Sequence, residues 1–214
     1  MDKETRVFNL TTIEVREGDG AAAPTIDGYG AVYDSPSEDL GGFVEIIERG
    51  FFDGALGDDV VSLWNHNDDK PLGRTTAGTL AISSDEHGLH TRTSPPDTTW
   101  GRDALVSIRR GDVRHMSFAF RTRFDGDKWE KRDDGTIVRR LLPGGCARLY
   151  DVSPVTFPAY PATQVSARAL DKIKELSGQG AGDGLEPADE GAAAGAAAGA
   201  ARRTRQLELK KRGV

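Results

Sequence analysis

A serine lies in the middle of the apolar stretch RHMSFAF, residues 114–120. If this stretch is a strand, alternation places Met116, Phe118 and Phe120 on one face and Ser117 on the other. The first face suits a hydrophobic core, and the second carries small side chains that leave room for another molecule. A serine hydroxyl becomes a nucleophile only when a neighbouring base accepts its proton. A catalytic role for Ser117 therefore requires a basic side chain close to its hydroxyl.

Four histidines could supply that base: His66, His87, His90 and His115. His66 follows an apolar run in VVSLWNHND, at the kind of strand end from which a side chain can project into a cleft. His115 lies two residues before Ser117, so alternation places both on one face. The patterns around His87 and His90 favour surface positions. Local spacing leaves His66 and His115 both open, and a structural role for either is equally compatible with the pattern.

The single cysteine, Cys146, offers a second kind of nucleophile. One cysteine cannot form an intrachain disulfide and does not supply the paired thiols of a structural zinc site. Cys146 lies in the Gly-rich stretch LLPGGCARLY, where no helix N-terminus follows to lower the pKa of the thiol. A cysteine protease is therefore disfavoured, and we expect neither a cofactor nor a metal ion.

The overall composition limits the functional class. The chain has 214 residues and a formal net charge of −6, which disfavours a nucleic-acid partner bound through bulk positive charge. The N-terminal stretch MDKETRVFNL lacks the apolar run of a signal peptide, and no run of about 18 apolar residues suggests a membrane span. These features predict a soluble protein without a nucleic-acid or membrane partner, and the cysteine content fits a reducing cytoplasm.

The elements that must position these side chains are mostly strands. From Val7 to about Ala169, short runs rich in Val, Ile, Phe, Tyr and Thr alternate with clusters of Gly, Asp, Pro and Ser. Strands are predicted for RVFNLTTIEVRE, TIDGYGAVYD, DDVVSLWNH, GTLAISSD, GLHTRTS, RHMSFAFRTRF and ARLYDVSPVTFP. Helices are predicted for RGFFDGAL and for TTWGRDALVSIRRG, which ends at Gly111. The pattern indicates a mainly β fold with a few helices (α+β), as a barrel or sandwich.

The composition changes after an amphipathic segment, LDKIKELSG, that begins at Leu170. Residues 178–200 contain no Lys, Arg or aromatic residue and cannot bury enough surface to fold alone. We therefore predict a globular domain over 1–176, a Gly/Ala-rich acidic flexible linker over 177–201 and a basic tail over 202–214. The tail has six basic residues against one acid. It is either a solvated charged segment or a docking peptide for an acidic partner.

Several motifs, taken in order, resemble a known family. They are GYGAVYDS, GGFVEIIERGFFDGAL, LWNHN, PLGRTTAGTLAI, GLHTRTSPPDTTWGRDALVSIRRGDVRHMSFAF and LYDVSPVTFPAYP. This order and spacing resemble the prohead maturation proteases of tailed bacteriophages, serine proteases similar in fold to the herpesvirus assemblins. The resemblance runs from about Val7 to about Leu170. It implies a closed or partly closed antiparallel β-barrel of the herpesvirus-protease type.

The resemblance also assigns roles to individual residues. It implies that Ser117, in the MSF motif, is the nucleophile and that His66, after the apolar strand, is the base. The family usually has an acid, often glutamate, before its VS.VTFPA motif, and Asp151 stands there. Such an acid accepts the far N–H of the imidazole and stabilises the imidazolium. Asp151 could equally be a strand-end carboxylate bonded to its own turn, and His115 is the rival third member because herpesvirus enzymes use a second histidine.

The function implied by the resemblance is that of a serine endopeptidase of virion maturation. Its substrates would be the scaffold segment of the phage major capsid protein and the protease chain itself, cut inside the procapsid in the host cytoplasm. Formation of a homo-oligomer by this chain stays an open alternative. The alternative is a catalytically inactive, scaffold-like capsid assembly protein of the same fold. The presence of both Ser117 and His66 disfavours that alternative.

Overall fold

The computed structural model describes residues 3–8, 13–18, 23–157 and 167–178. All of them belong to one compact unit, Met1–Gly180. The predicted linker lies outside the described residues except for its first two positions, and the basic tail lies wholly outside them. The predicted domain boundaries therefore stay predictions. Among the described residues, no helix is both long enough and apolar enough to cross a membrane.

Within the described residues the fold consists of twelve strands and two helices. The strands are β1 (Glu4–Phe8), β2 (Ile13–Arg16), β3 (Thr25–Val32), β4 (Val44–Ile47), β5 (Val61–Trp64), β6 (Asn67–Arg74), β7 (Leu80–Ser84), β8 (Gly88–Thr93), β9 (His115–Thr122), β10 (Asp127–Lys131), β11 (Ile137–Leu141) and β12 (Cys146–Val155). The helices are α1 (Thr99–Arg109) and α2 (Ala167–Ser177). The strand orders of the three sheets are β1-β9-β12-β5-β6, β10-β11-β4 and β2-β3-β8-β7.

The mainly β, α+β class is confirmed, but the expected barrel is not. The described strands form three open sheets instead of a closed or partly closed antiparallel barrel. Two of the pairings are parallel, because β12 runs alongside β5 and β11 alongside β4 in the same direction. A parallel pair needs a long connection between its strands. Alternation along the chain identifies strands but not which distant strands pair or in which direction.

The apolar face of β9 fixes the strand against the largest core cluster. Met116, Phe118 and Phe120 are almost completely buried there. The ring of Phe118 packs edge to face on Phe52, and the ring of Phe120 does the same on Phe51. Such aromatic pairs add about 0.5–1.5 kcal/mol each beyond the area they bury. Because this face is held by the core, the opposite face of β9 presents its side chains at fixed positions.

Most local predictions are confirmed. Six of the predicted strands correspond to β3, β5, β7, β8, β9 and β12, and the second predicted helix corresponds to α1. Helix α1 starts after Thr98, whose side chain accepts a hydrogen bond from the Gly101 N–H. It ends before Gly111, which has a φ of 77°. In contrast, β4, β6, β10 and β11 were not predicted from the sequence.

Two local predictions are wrong. RGFFDGAL forms consecutive turns, in which the N–H groups of Phe51 and Ala55 donate to carbonyls three residues earlier. Gly50, with a φ of 85°, takes the chain out of the helical region at the start of this segment. The single strand predicted for RVFNLTTIEVRE is two strands, since β1 pairs with β9 and β2 pairs with β3 in another sheet.

Candidate active site

Ser117 lies in the middle of β9, between two neighbouring strands. Val7 of β1 is its partner on one side, and Ser153 of β12 is its partner on the other. The side chain is 0% exposed. Paired residues of neighbouring strands share a face of the sheet, so the serine is surrounded by side chains from both β1 and β12.

His66 occupies a tight turn between β5 and β6. Asn65 and His66 both have left-handed backbones, with φ of 53° and 55°, and together they link Trp64 to its partner Asn67. Two such residues in succession characterise a type I′ hairpin turn, whose second position usually holds glycine. Left-handed backbone in a residue with a side chain is uncommon and costs free energy. The turn therefore places the imidazole at a position that local preference alone does not favour.

Contacts with β12 hold this turn in place. The N–H of Asn65 donates to the carbonyl of Pro154 at 3.0 Å, and the side-chain oxygen of Asn65 accepts from the Thr156 N–H at 2.9 Å. Pro154 lies near the end of β12, the strand that also carries Asp151, and Thr156 follows the last residue of that strand. These two hydrogen bonds therefore hold the turn that carries His66 against the strand that carries Asp151.

The structure brings Ser117, His66 and Asp151 into one hydrogen-bonded row. His66 Nε2 lies 2.6 Å from Ser117 Oγ, and His66 Nδ1 lies 2.6 Å from Asp151 Oδ1. The imidazole is 27% exposed, whereas the Asp151 side chain is 3% exposed. With the Nδ1 proton donated to the carboxylate, Nε2 is left as the acceptor that faces the serine hydroxyl. This arrangement can deprotonate an alcohol.

Asp151 is held as a carboxylate by its surroundings. Burial would raise its pKa, but the hydrogen bond and charge of His66, together with Lys3 and Ser153, outweigh burial and lower the pKa below its ordinary value. Ser153 Oγ donates to Asp151 Oδ1 at 2.9 Å. The Lys3 ammonium lies 3.3 Å from Asp151 Oδ2. The charge that would stabilise an imidazolium is therefore present at neutral pH.

The hydroxyl of Ser117 has two acceptors within reach. One is His66 Nε2, and the other is the backbone carbonyl of Arg6 in β1, 2.9 Å from Oγ. A hydroxyl has one proton to donate. Donation to His66 prepares the serine for attack, whereas donation to Arg6 does not.

His115, the rival third member, lies at the start of β9 on the same face as Ser117. The contact with His66 Nδ1 comes from Asp151, not from His115. Within the described ranges, the buried Nδ1 of His115 has no hydrogen-bond partner. The geometry therefore favours a carboxylate over a second histidine beside His66.

The other candidates lie apart from this row of side chains. His90 Nε2 is 2.9 Å from Asp27 Oδ1, and His87 packs its ring against Tyr29. Cys146 belongs to the core cluster around Phe118 and is 2% exposed. Burial raises the pKa of its thiol to about 12, so the thiolate that a cysteine protease needs does not form at neutral pH.

Metal-ligating side chains do not converge in the part of the chain that the structure describes. No group of three or more His, Cys, Asp or Glu residues is placed there to hold a metal ion.

Three contacts at the site were not predicted from the sequence. Ser153 could have been found, because it lies two residues after Asp151 on the same strand and alternation places both on one face. Lys3 and Arg6 could not, because they reach the site only through the pairing of β1 with β9. No local pattern in the chain indicates that long-range pairing.

A family model described as Caudovirus prohead serine protease matches residues 11–176. The chain belongs to this family. The prohead serine protease family identified from the sequence motifs is thereby confirmed. Its match begins after β1, so the strand that covers Ser117 lies outside the part that the family model describes.

Among solved structures, this prohead serine protease family member is similar to the bacteriophage T4 capsid assembly protease. The TM-score is 0.48 at 11% sequence identity, over 74% of this chain and 100% of that chain. Comparison with curated proteins finds no match.

Proposed function

We propose that this chain is a serine endopeptidase in which Ser117 is the nucleophile, His66 the general base and Asp151 the acid that orients the base. The observation that carries the proposal is the row of two 2.6 Å contacts, Asp151 Oδ1 to His66 Nδ1 and His66 Nε2 to Ser117 Oγ. Membership of a serine protease family supports it.

The proposed reaction starts when Ser117 Oγ attacks the carbonyl carbon of a peptide bond. His66 Nε2 takes the hydroxyl proton, and the resulting imidazolium is stabilised by the carboxylate of Asp151. Nε2 then gives the proton to the leaving amine as the peptide C–N bond breaks, which leaves an acyl-enzyme on Oγ. Water attacks the ester with His66 again accepting a proton, and the proton returns to Oγ as the acid product leaves.

Ser153 is proposed to position the carboxylate in this reaction. Its hydroxyl donates to the same oxygen, Asp151 Oδ1, that accepts from His66. Ser153 is fully buried and belongs to the same strand as Asp151. The carboxylate is thus restrained in the orientation that keeps the Nδ1 proton of His66 in place.

The proposed substrates follow from the family. A prohead protease acts during capsid maturation, and the structurally similar phage T4 protein is named a capsid assembly protease. We infer that this chain cleaves the scaffold segment of the major capsid protein and its own chain. The reaction would take place inside the procapsid, in the cytoplasm of the host.

The test is co-expression of the full chain with the major capsid protein of the same phage, followed by mass measurement of both products. The wild-type chain is expected to shorten the capsid protein, while Ser117→Ala and His66→Ala leave it intact. Ser107→Ala is a matched control, because Ser107 is a half-buried serine of α1 whose hydroxyl donates to the Asp103 carbonyl and not to His66. Normal shortening of the capsid protein by Ser117→Ala would overturn the proposal.

A further inference from the structure

Strand β1 covers the nucleophile strand along one side. It is the edge strand of its sheet, and the register runs from Glu4 opposite Phe120 to Phe8 opposite Met116. Without β1, β9 would itself be the edge of the sheet. An exposed sheet edge is where an extended peptide adds as a further strand, through backbone hydrogen bonds.

The first contact between β1 and the site is made by a peptide carbonyl. Ser117 Oγ donates to the carbonyl oxygen of Arg6 at 2.9 Å. The same hydroxyl lies 2.6 Å from His66 Nε2, so the Arg6 carbonyl competes with His66 for its single proton. Ser117 is also 0% exposed, so a second peptide carbonyl has no access to Oγ while β1 is in place.

The second contact between β1 and the site involves charge. The ammonium of Lys3, immediately before β1, lies 3.3 Å from Asp151 Oδ2. During attack on a substrate, Asp151 must stabilise the positive charge that develops on His66. A lysine already paired with the carboxylate opposes the formation of that second positive charge.

We propose, building on the protease function above, that β1 is a self-inhibiting strand that occupies the peptide-binding edge of β9. The backbone of Arg6 stands where the substrate backbone must lie, with its carbonyl on the nucleophile. Ser117 attacks other peptides only after β1 has left this edge.

Departure of β1 would break two buried ion pairs that its side chains make with the rest of the fold. Arg6 Nε donates to Glu45 Oε1 at 2.9 Å, and Arg139 Nη1 donates to Glu4 Oε2 at 2.6 Å, all four side chains being buried. Arg139 also donates directly to Glu45 at 3.0 Å. Departure of β1 removes one positive and one negative charge together, and it leaves Arg139 and Glu45 paired. The costly case of an uncompensated buried charge does not arise.

The first test locks β1 in place with a reversible disulfide. Thr5 and Ala119 are opposite partners in the β1–β9 register, and cross-strand partners lie within the Cα separation that a disulfide spans. The variant is the full chain with Thr5→Cys and Ala119→Cys. The native Cys146 is 2% exposed and does not compete for the new thiols.

The readout is the rate at which a fluorescent fluorophosphonate labels the chain, because this probe reacts with activated serines irrespective of peptide preference. We expect the oxidised variant to be labelled at least about tenfold more slowly than the same variant after reduction with dithiothreitol. The reduced sample is the matched control, since both samples have one sequence. Equal labelling rates before and after reduction would overturn the proposal.

A second test removes the strand. Deletion of residues 2–8 is expected to raise the labelling rate by at least about tenfold, and a synthetic peptide DKETRVFN is expected to lower it again. The control peptide carries glutamate at the position of Arg6 and would face Glu45 with a like charge. Unchanged labelling after deletion, with no effect of the peptide on a folded chain, contradicts the proposal.

Failure of the proposed function gives a different result. If Ser117 is not an activated nucleophile, the oxidised, reduced and shortened chains are all labelled no faster than their Ser117→Ala counterparts. If Ser117 is activated but β1 does not inhibit it, all three chains are labelled at one rate that exceeds the rate of Ser117→Ala.

Discussion

Replacement of Asp151 by asparagine removes the negative charge of this side chain and keeps nearly the same shape. Asp151 Oδ1 lies 2.6 Å from His66 Nδ1, and Oδ2 lies 3.3 Å from the Lys3 ammonium. In Asp151→Asn, the amide oxygen is attracted to the lysine and the amide NH₂ then faces His66. A donor opposite Nδ1 favours the tautomer with its proton on Nε2, which cannot accept a proton from Ser117.

The expected loss of activity follows from the lost charge and the reversed tautomer. Two unit charges about 4 Å apart interact by about 4 kcal/mol at an effective dielectric constant of about 20. This energy corresponds to about a thousandfold in rate. The wrong tautomer adds to that loss, so we expect Asp151→Asn to reduce turnover between about 10³-fold and about 10⁴-fold.

The assay is the rate of capsid-protein shortening, followed by mass under single-turnover conditions. Asp59→Asn is the matched control, since Asp59 pairs with Arg74 at the opposite end of the β5–β6 hairpin from His66. His115→Ala is measured alongside and is expected to lose far less activity than Asp151→Asn. A rate for Asp151→Asn within tenfold of the wild type, or a larger loss for His115→Ala, would refute the role assigned to the carboxylate.

The effect of Asp151→Asn on the free energy of unfolding should depend on pH, in a direction that follows from the pKa of Asp151. The pKa of Asp151 is lowered in the folded chain from an ordinary value of 3.8. Its ionised form therefore stabilises the fold above that value, and the stabilisation is lost as the pH falls through the lower folded pKa. The difference in unfolding free energy between wild type and Asp151→Asn should be larger at pH 6 than at pH 3, as measured by urea unfolding. An equal or larger difference at pH 3 would contradict this assignment.

Three further predictions concern the surroundings of the site and the C-terminal region. Ser153→Ala removes one of the hydrogen bonds to Asp151 Oδ1 and should lower turnover by about tenfold, which corresponds to a rise in activation free energy of about 1.4 kcal/mol. The KM for a peptide substrate should change little, and a change confined to KM would contradict the positioning role of Ser153. Cys146 should resist alkylation by iodoacetamide at pH 8 in the folded chain and react in urea, because burial raises the pKa of its thiol to about 12. Rapid modification of the native chain, measured by mass, would show an accessible thiolate and contradict this prediction. A chain ending at Leu176 should fold and cleave a peptide at the full-length rate. It should enter procapsids less than the full chain, because it lacks the Gly/Ala-rich linker and the basic tail. Equal incorporation of the truncated and full-length Ser117→Ala proteins would show that these segments do not direct packaging.

The sequence predicted what short-range patterns determine. Alternation in RHMSFAF placed Ser117 opposite the core face of β9, and the helical spacing of apolar residues with the terminal Gly111 predicted α1. The family motifs selected His66, Ser117 and Asp151 from many polar residues, and the structure brings these three side chains together. Their catalytic roles stay predictions.

The remaining features depend on contacts between distant parts of the chain. The parallel pairing of β5 with β12 places the His66 turn beside Asp151, and no local pattern specifies that partner. The strand β6 contains Asn67, Asp68, Asp69, Lys70 and Pro71 in succession, so its sequence reads as a turn. Pairing with β5 makes it a strand nonetheless. The break between β1 and β2 likewise follows from pairing with two different sheets.

The central claim is that Ser117 is the activated nucleophile, and mapping a covalent adduct tests it most directly. The full chain is incubated with a fluorophosphonate to completion and digested with trypsin, which releases residues 115–121 as the peptide HMSFAFR. Ser117 is the only hydroxyl-bearing residue in that peptide. We predict a single adduct on this peptide in the wild-type chain and none in His66→Ala over the same time. An adduct on any other peptide, or an adduct on HMSFAFR that forms equally fast in His66→Ala, would contradict the claim.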